Sequence, residues 1–349
     1  MSKIIRVKIP RFDNQKQIVI EALSKNFLDQ GPHLDLLSEV LARIFKKKYV
    51  FLTNSCFSSL FLSLISLKLK PKTTIACPSS STCFSICNAV MASGNKLNFY
   101  DMDIETFGPN LSFLKNAFNN SKSKVIIAPN HFGLISNSII KFSNFGQYLI
   151  DDSAQSFISR SKIQINSELT ALSFYPTKIV NGINGGALLT DNYSIYREIV
   201  ERGSYSNQYT FNNKSRFNLK MSNINAAFTL ATLENIEIIE KKLLQIYFSL
   251  YEIINSEKFS VRKLKKYEIP SKFIIKCRNK TIRDKLLKHF LDNYIEASLE
   301  LLWICPDNLQ KLYPNSKEII DTTLSIPFYY DLTKNEINYI KEVFMKFEL

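Results

Sequence analysis

Short apolar runs alternate with helix-length stretches through the first two-thirds of this chain. The runs are YVFLT (49–53), KLNFYDMD (96–103), KVIIAP (124–129), YLIDD (148–152), ALSFY (171–175) and GALLT (186–190). Between and after them come helical stretches at Leu34–Phe45, Phe57–Lys68, Ser85–Ser93 and Ser222–Lys241. That alternation predicts an α/β layer with a mostly parallel central sheet. The pattern changes after about residue 240. KKLLQIYFSLYEIINSEKF reads as a long helix, FIIKCRN and TLSIPFYY as short strands, and LTKNEINYIKEVFMKF as a terminal helix. Thr333 is the expected N-cap of that last helix, with Glu336 completing a capping box. The expected division is a large domain over 1–240 and a smaller C-terminal α+β domain over 241–349, on which the N-terminal segment is a candidate to pack. A chain of 349 residues is long enough for either one large core or two.

Several function classes drop out. The most apolar run, Phe57–Leu67, is interrupted by serines and is shorter than the roughly 20 residues of a membrane span. The N-terminus, MSKIIRVKIPRFDNQKQ, carries no apolar signal core. With 45% hydrophobic and 22% charged residues, the expectation is a cytoplasmic protein without a membrane partner. The six cysteines form no CxxC pair and read as reduced, mostly buried thiols. With three histidines in all, no metal site is expected. Neither a Walker A pattern nor a GxSxG elbow occurs. The net charge of +14 is scattered apart from KKK at 46–48 and VRKLKKYE at 261–268. No nucleic-acid-binding motif accompanies it, and no nucleic-acid partner is expected.

In an open α/β sheet, ligands bind beyond the carboxyl ends of the strands. Here those ends are polar. YLIDDSAQ supplies Asp151, Asp152, Ser153 and Gln155; ALSFYPTK supplies Ser173 and Lys178; YVFLTNSCFSS runs into hydroxyls at an apparent helix N-terminus; KVIIAPNHFG ends at His131 and Gly133. Each has a plain reading: a turn, a surface lysine, an N-capped core helix. Together they suggest more. A helix N-terminus with hydroxyls cradles phosphate. A partly desolvated lysine forms a Schiff base with an aldehyde. An aspartate at a strand end holds a proton on a heterocyclic nitrogen. Pyridoxal phosphate needs all three.

The motifs as ordered resemble the DegT/DnrJ/EryC1/StrS sugar aminotransferases, which are fold-type I pyridoxal-phosphate enzymes. "GPHLDLLSEVLARIFKKKYVFLTNSC" is similar to the family's N-terminal block. "GNKLNFYDMDIETFGPN", "LIDDSAQSF", "LSFYPTK", "RFNLKMSNINAAFTLATLENIE" and "TLSIPFYYDLTKNEINYI" are similar to later ones. The resemblance covers nearly the whole chain. It implies that Lys178 is the Schiff-base lysine and the proton shuttle. Lysine rather than histidine there favours transamination over dehydration. It implies that Asp152 pairs with the pyridine nitrogen, that Gln155 lies beside the ring hydroxyl, and that Ser173 holds the phosphate with help from the region of Ser58. Asn218 and Lys220 match a block that reaches the neighbouring subunit's cofactor, which implies a homodimer with shared sites.

Some positions depart from the family pattern. Phe57 stands where a phosphate-binding threonine is usual, Cys56 where glycine is common, Asn184 where glutamate is usual, and Lys220 where arginine is usual. The aromatic ring expected over the cofactor is replaced by Cys83, or supplied by Phe84 after a one-residue shift. The expected reaction moves an amino group from glutamate to a nucleotide-linked keto-sugar, for surface polysaccharide or natural-product sugars. The alternatives are a catalytically impaired member acting as a binding or regulatory protein, and an acceptor that is a non-nucleotide keto-sugar or cyclitol. His33, Tyr205, Tyr209 and Arg216 are candidates for the acceptor pocket.

Overall fold

The computed structural model describes residues 5, 13–110, 112–116, 125–141, 148–205, 214–254 and 256–347. Eight strands are found in its first two-thirds: β1 (Tyr49–Thr53), β2 (Thr74–Pro78), β3 (Ser80–Ser81), β4 (Lys96–Tyr100), β5 (Val125–Pro129), β6 (Tyr148–Asp152), β7 (Leu169–Ser173) and β8 (Gly186–Thr190). All but β3 join one seven-stranded sheet in the order β1-β8-β7-β6-β5-β2-β4. Neighbours run parallel except at β8, which is antiparallel to both β1 and β7. Strands β5, β7 and β8 are buried at every position, as expected where both faces of a sheet are covered.

Alternate residues feed two separate cores. Ile75, Val125, Ile127, Ile150, Leu169 and Ala171 pack against the helices Cys56–Ser66, Ser85–Ala92 and Tyr193–Gly203. Ala76, Ile126, Ala128 and Leu149 face the other way, against Phe132, Ile135 and Ile139. This parity matters at the strand ends. Asp152 follows Ile150, and Ser173 follows Ala171, so both continue on the face of the helix Cys56–Ser66. Asp151 falls on the opposite face.

The C-terminal part holds β9 (Phe259–Ser260), β10 (Phe273–Cys277) and β12 (Thr323–Ile326) in a three-stranded antiparallel sheet ordered β12-β10-β9. β11 (Leu302–Trp303) pairs instead with β3. Ile5 pairs with Ile295 through Ile5 N–H to Tyr294 O (2.8 Å) and Glu296 N–H to Ile5 O (3.0 Å). The terminal helix Lys334–Met345 is capped by Thr333 with a full capping box to Glu336, as its sequence predicts.

Some expected elements differ: ALSFY is strand only to Ser173 and TLSIPFYY only to Ile326, and two others differ more. Ser222–Lys241 is not one helix but two, Asn223–Leu233 and Ile236–Ile254, and the second runs through the expected boundary at residue 240. Asn235 causes the break: its side-chain amide donates to Ala231 O (2.9 Å), an alternative to the helix's own bonding. KLNFYDMD is strand only to Tyr100. Beyond it, Asp101 accepts from Met102 N and Asp103 from Thr106 N, which turns the chain. No helix among the described residues is long and apolar enough to cross a membrane.

Candidate active site

The carboxyl ends of β1, β5, β6 and β7 converge on a cleft of about 520 Å³, within the size range of small-molecule sites. Its walls include Ser55, Cys56 and Phe57 after β1, Asn130 and His131 after β5, and Asp152 and Gln155 at and after β6. Ser173 and Lys178 line it after β7, and Lys272 and Glu300 reach it from the C-terminal part.

Lys178 sits on a turn closed by its own N–H to Tyr175 O (2.9 Å). Phe174, just upstream, receives the returning glycine loop: Gly182 N–H donates to Phe174 O (2.7 Å), and Phe174 N–H donates to Gly185 O (2.9 Å). The loop is glycine-rich because space is short. A Cβ on Gly186 would lie 2.8 Å from both Leu172 O and the carbonyl carbon of Ser55. The Lys178 amine has no hydrogen-bond partner among the described residues. Burial holds its pKa below the ordinary lysine value, and nearby Asp152 offsets part of that. The amine is therefore easier to deprotonate than a surface lysine, which favours its use as a nucleophile.

The two consecutive aspartates have different surroundings. Asp151 is fully buried and satisfied: Arg160 Nε donates at 2.6 Å, Asn130 Nδ2 at 2.7 Å, Ser153 Oγ at 2.9 Å and Thr170 Oγ1 at 3.3 Å. Asp152 faces the cleft, and its carboxylate's only hydrogen bond among the described residues is Oδ1 accepting from Ala154 N at 3.1 Å. Burial pushes its pKa up to about 6, against the pull of the Ala154 N–H and Lys178. The carboxylate is short of partners, so a cationic N–H in the cleft would find a receptor there.

Gln155 bridges the cleft, its Oε1 accepting from Phe132 N (3.0 Å) and its Nε2 donating to Thr82 Oγ1 (2.7 Å). Beside it His131 is buried, with Nε2 unpartnered. Burial, and then the Lys178 charge, hold that imidazole down to about 3, so it is neutral. Phe132 follows it at a left-handed φ of 59°. Gly133 is obligatory by contact: an added Cβ would meet Ile269 O at 2.1 Å, and φ is +82°.

The other end of the cleft is a helix N-terminus. Ser55 caps the helix Cys56–Ser66 by accepting from Ser58 N at 3.2 Å. Ser173 Oγ accepts from Tyr175 N (3.3 Å) and keeps its own proton available. Phe57 lines the cleft and stacks on Phe61, which meets Phe217 edge-on. Ser58, expected at the phosphate, does not line the cleft. Its hydroxyl lies behind the cap, donating to Asn54 Oδ1 at 2.6 Å, and Ser55 occupies the wall in its place.

Other expected residues also lie elsewhere. Phe84 is half-exposed at the start of the helix Ser85–Ala92, outside the cleft; Cys83 lines it, so no one-residue shift brings the ring over. Asn218 and Lys220 lie beside β1, where Asn54 Nδ2 donates to Asn218 O (3.5 Å) and Lys220 bridges Thr53. Neither lines this chain's own cleft. His33 bonds Asn223 instead of facing the cleft. Arg216 approaches Glu201 (3.6 Å), Tyr205 is exposed, and Tyr209 lies outside the described residues. The sequence reading missed Ser55, Lys272 and Glu300 as cleft residues. The last two come from far along the chain, and no local signal marks them.

The groups fit the cofactor that the resemblance implies. The cleft offers an amine without a partner, an under-bonded carboxylate, an orphaned neutral imidazole, and free N–H groups with hydroxyls at a helix N-terminus. The model of the DegT/DnrJ/EryC1/StrS aminotransferase family matches residues 12–345. The chain is 23% identical to the UDP-4-amino-4,6-dideoxy-N-acetyl-beta-L-altrosamine transaminase of Campylobacter jejuni, over 94% of each protein. In structure it is similar to NtdA of Bacillus subtilis with bound cofactor PMP: TM-score 0.85, 23% identity, 99% of this chain and 85% of that one. It is likewise similar to Helicobacter pylori PseC, an aminotransferase involved in the biosynthesis of pseudoaminic acid: TM-score 0.87, 18% identity, 99% of both chains.

Proposed function

The chain belongs to the DegT/DnrJ/EryC1/StrS aminotransferase family, pyridoxal-phosphate-dependent sugar transaminases, and we propose that it transfers an amino group from glutamate to a nucleotide-linked keto-sugar. The observation that carries this reading is the meeting of Lys178, Asp152 and the helix N-terminus at Ser55 in one cleft. When bound, the cofactor supplies an electron sink for the carbon that exchanges its amino group. In our reading Lys178 is the covalent attachment point and moves the proton between substrate and product carbons. Asp152 keeps the ring nitrogen protonated. Gln155, held at both ends, positions the ring hydroxyl. Ser173, Ser55 and the N–H groups of Cys56 and Phe57 hold the phosphate.

We further propose a homodimer in the cytoplasm. Asn218 is exposed beside the N-terminus of the phosphate-binding helix, and Phe84, Tyr175 and Ile183 leave large apolar surface exposed at the rim of the cleft. A second subunit covering that rim would place its own Asn218 and Lys220 at this site. The division into 1–240 and 241–349 is proposed with them, the helix Ile236–Ile254 serving as the connection. The product would feed surface polysaccharide or natural-product sugars.

The test is a spectrum of purified protein with pyridoxal phosphate, repeated after adding glutamate. A band near the visible edge that collapses toward the ultraviolet supports the reading. A spectrum identical to free cofactor and unchanged by glutamate would sink it. Lys178→Ala must lose both band and turnover.

A further inference from the structure

Two charged residues of the cleft have no part in the roles above. Lys272 precedes β10 and Glu300 precedes β11, and both line the cleft with Lys178. Lys272 Nζ lies 3.0 Å from Glu300 Oε1. Glu300 is anchored: the same oxygen accepts from Ser298 Oγ (2.8 Å) and Ser325 Oγ (2.5 Å), and Ser298 pairs with Ser325 through two backbone hydrogen bonds. The carboxylate therefore holds the ammonium in place without saturating it. An ammonium has three donors, and Glu300 is the only acceptor it meets among the described residues.

The segment that carries Lys272 is also fixed, against the turn that follows β5 at His131–Gly133 on the cleft wall. Ser271 N–H donates to Phe132 O (2.9 Å), and Ile269 N–H donates to Ser159 Oγ (2.7 Å), which in turn donates to Gly133 O (2.6 Å). The tight contact at Gly133 locks the same junction. Ser271 Oγ is buried, lines the cleft and has no partner among the described residues. A buried hydroxyl left unpaired beside an unsaturated ammonium is what a bound anion would complete. Apart from Lys178, Lys272 is the only lysine or arginine lining the cleft among the described residues.

An amino-acid donor must bring its amino group to Lys178 and leave its carboxylate a short distance away. We propose that Lys272, with Ser271, receives a carboxylate of the amino-group donor, and that Glu300 holds the ammonium when no donor is bound. This rests on the transaminase reading and names the residues that select the donor.

The experiment compares wild type, Lys272→Gln, Lys272→Arg and Glu300→Gln, each loaded with pyridoxal phosphate. Glutarate, an unreactive dicarboxylate, is titrated against the visible band. Single-turnover reaction is then followed with L-glutamate and with propylamine, which has no carboxylate. Lys272→Gln should keep the band and its cofactor affinity, weaken glutarate and glutamate at least about tenfold, and leave propylamine unaffected. Lys272→Arg should recover part of the loss. Glu300→Gln should tighten glutarate, because the competing anion is gone. Equal glutarate affinity in wild type and Lys272→Gln overturns the proposal. So does a loss in Glu300→Gln matching that in Lys272→Gln, which would make the pair merely structural. A fall in cofactor affinity in Lys272→Gln alone would assign the ammonium to the cofactor phosphate, and also overturns it. A wild-type protein with no band fails earlier, at the transaminase reading itself.

Discussion

The substitution Asp152→Asn should stabilise the cofactor-free protein while impairing it. In the folded apoprotein burial raises the Asp152 carboxyl from 3.8 to about 6. A raised carboxyl pKa means that the ionised form is disfavoured on folding. The cost is absent below pH 3.8, where the group is neutral in both states. It grows as pH rises and is complete above about pH 6, where both states are ionised. A shift of about two pKa units corresponds to about 3 kcal/mol. The introduced amide is uncharged throughout and could still accept the Ala154 N–H through its oxygen, so the substitution removes the charge and little else. Urea unfolding of both apoproteins should show the variant more stable by about 1 kcal/mol near pH 4.5 and about 3 kcal/mol at pH 8. Titrating groups that do not interact with Asp152 are shared and cancel; Lys178, whose charged form Asp152 favours, does not, and the comparison therefore holds where Lys178 keeps one charge state in both proteins. The same variant should bind pyridoxal phosphate more weakly, since its amide cannot act as the counter-ion of a protonated ring nitrogen. A stability gap of zero at pH 8, or one of the same size at both pH values, would refute the argument that Asp152 is a carboxylate kept short of partners for a ligand.

Three further outcomes can be checked. Phe57→Thr restores a hydroxyl at the helix N-terminus facing the cleft; a hydrogen bond to a charged group is worth about 1.5–3 kcal/mol, so cofactor titration should show at least about tenfold tighter binding. Arg160→Met leaves the buried Asp151 side chain without its cation, and should cost about 3–5 kcal/mol in denaturant unfolding, although Arg160 does not line the cleft. Gly133→Ala forces a Cβ onto Ile269 O and into a left-handed φ. It should lower the melting temperature and raise the glutamate concentration needed for half-reaction, because the junction that places Lys272 opens; unchanged values in both assays would show that the loop relaxes freely.

What could be read in the sequence was local, and what could not depended on distance. The strand ends at Asp152 and Ser173 are marked by apolar runs that stop at polar residues. Strand parity then separates two adjacent aspartates that look equivalent in the string IDDS: Asp151 turns to Arg160 and Asp152 to the cleft. Nothing in that string says which is which, because the assignment depends on which face carries Ile150 and its helix. The capping box at Thr333 was legible because both partners lie within one turn. The break at Asn235 was not, since asparagine in an apolar-periodic stretch reads as a tolerable interruption until its amide is seen to bond Ala231 O. The exchange of Ser58 for Ser55 is a matter of one helical turn: in TNSCFSS the serine that caps and the serine that is capped have the same chemistry, and only the geometry puts Ser55 on the wall and Ser58 behind it. Lys272 and Glu300 lie beyond any local signal. Ser159 and Gly133 clamp the backbone around Ile269, just before Lys272, and Ser298 and Ser325 anchor Glu300. On the proposed roles, the chemistry that acts on every substrate is read from strand ends, and the groups that would choose among substrates come from packing of sequence-distant segments. For that reason the resemblance extends to the reaction while the donor and acceptor must be sought in residues such as Lys272.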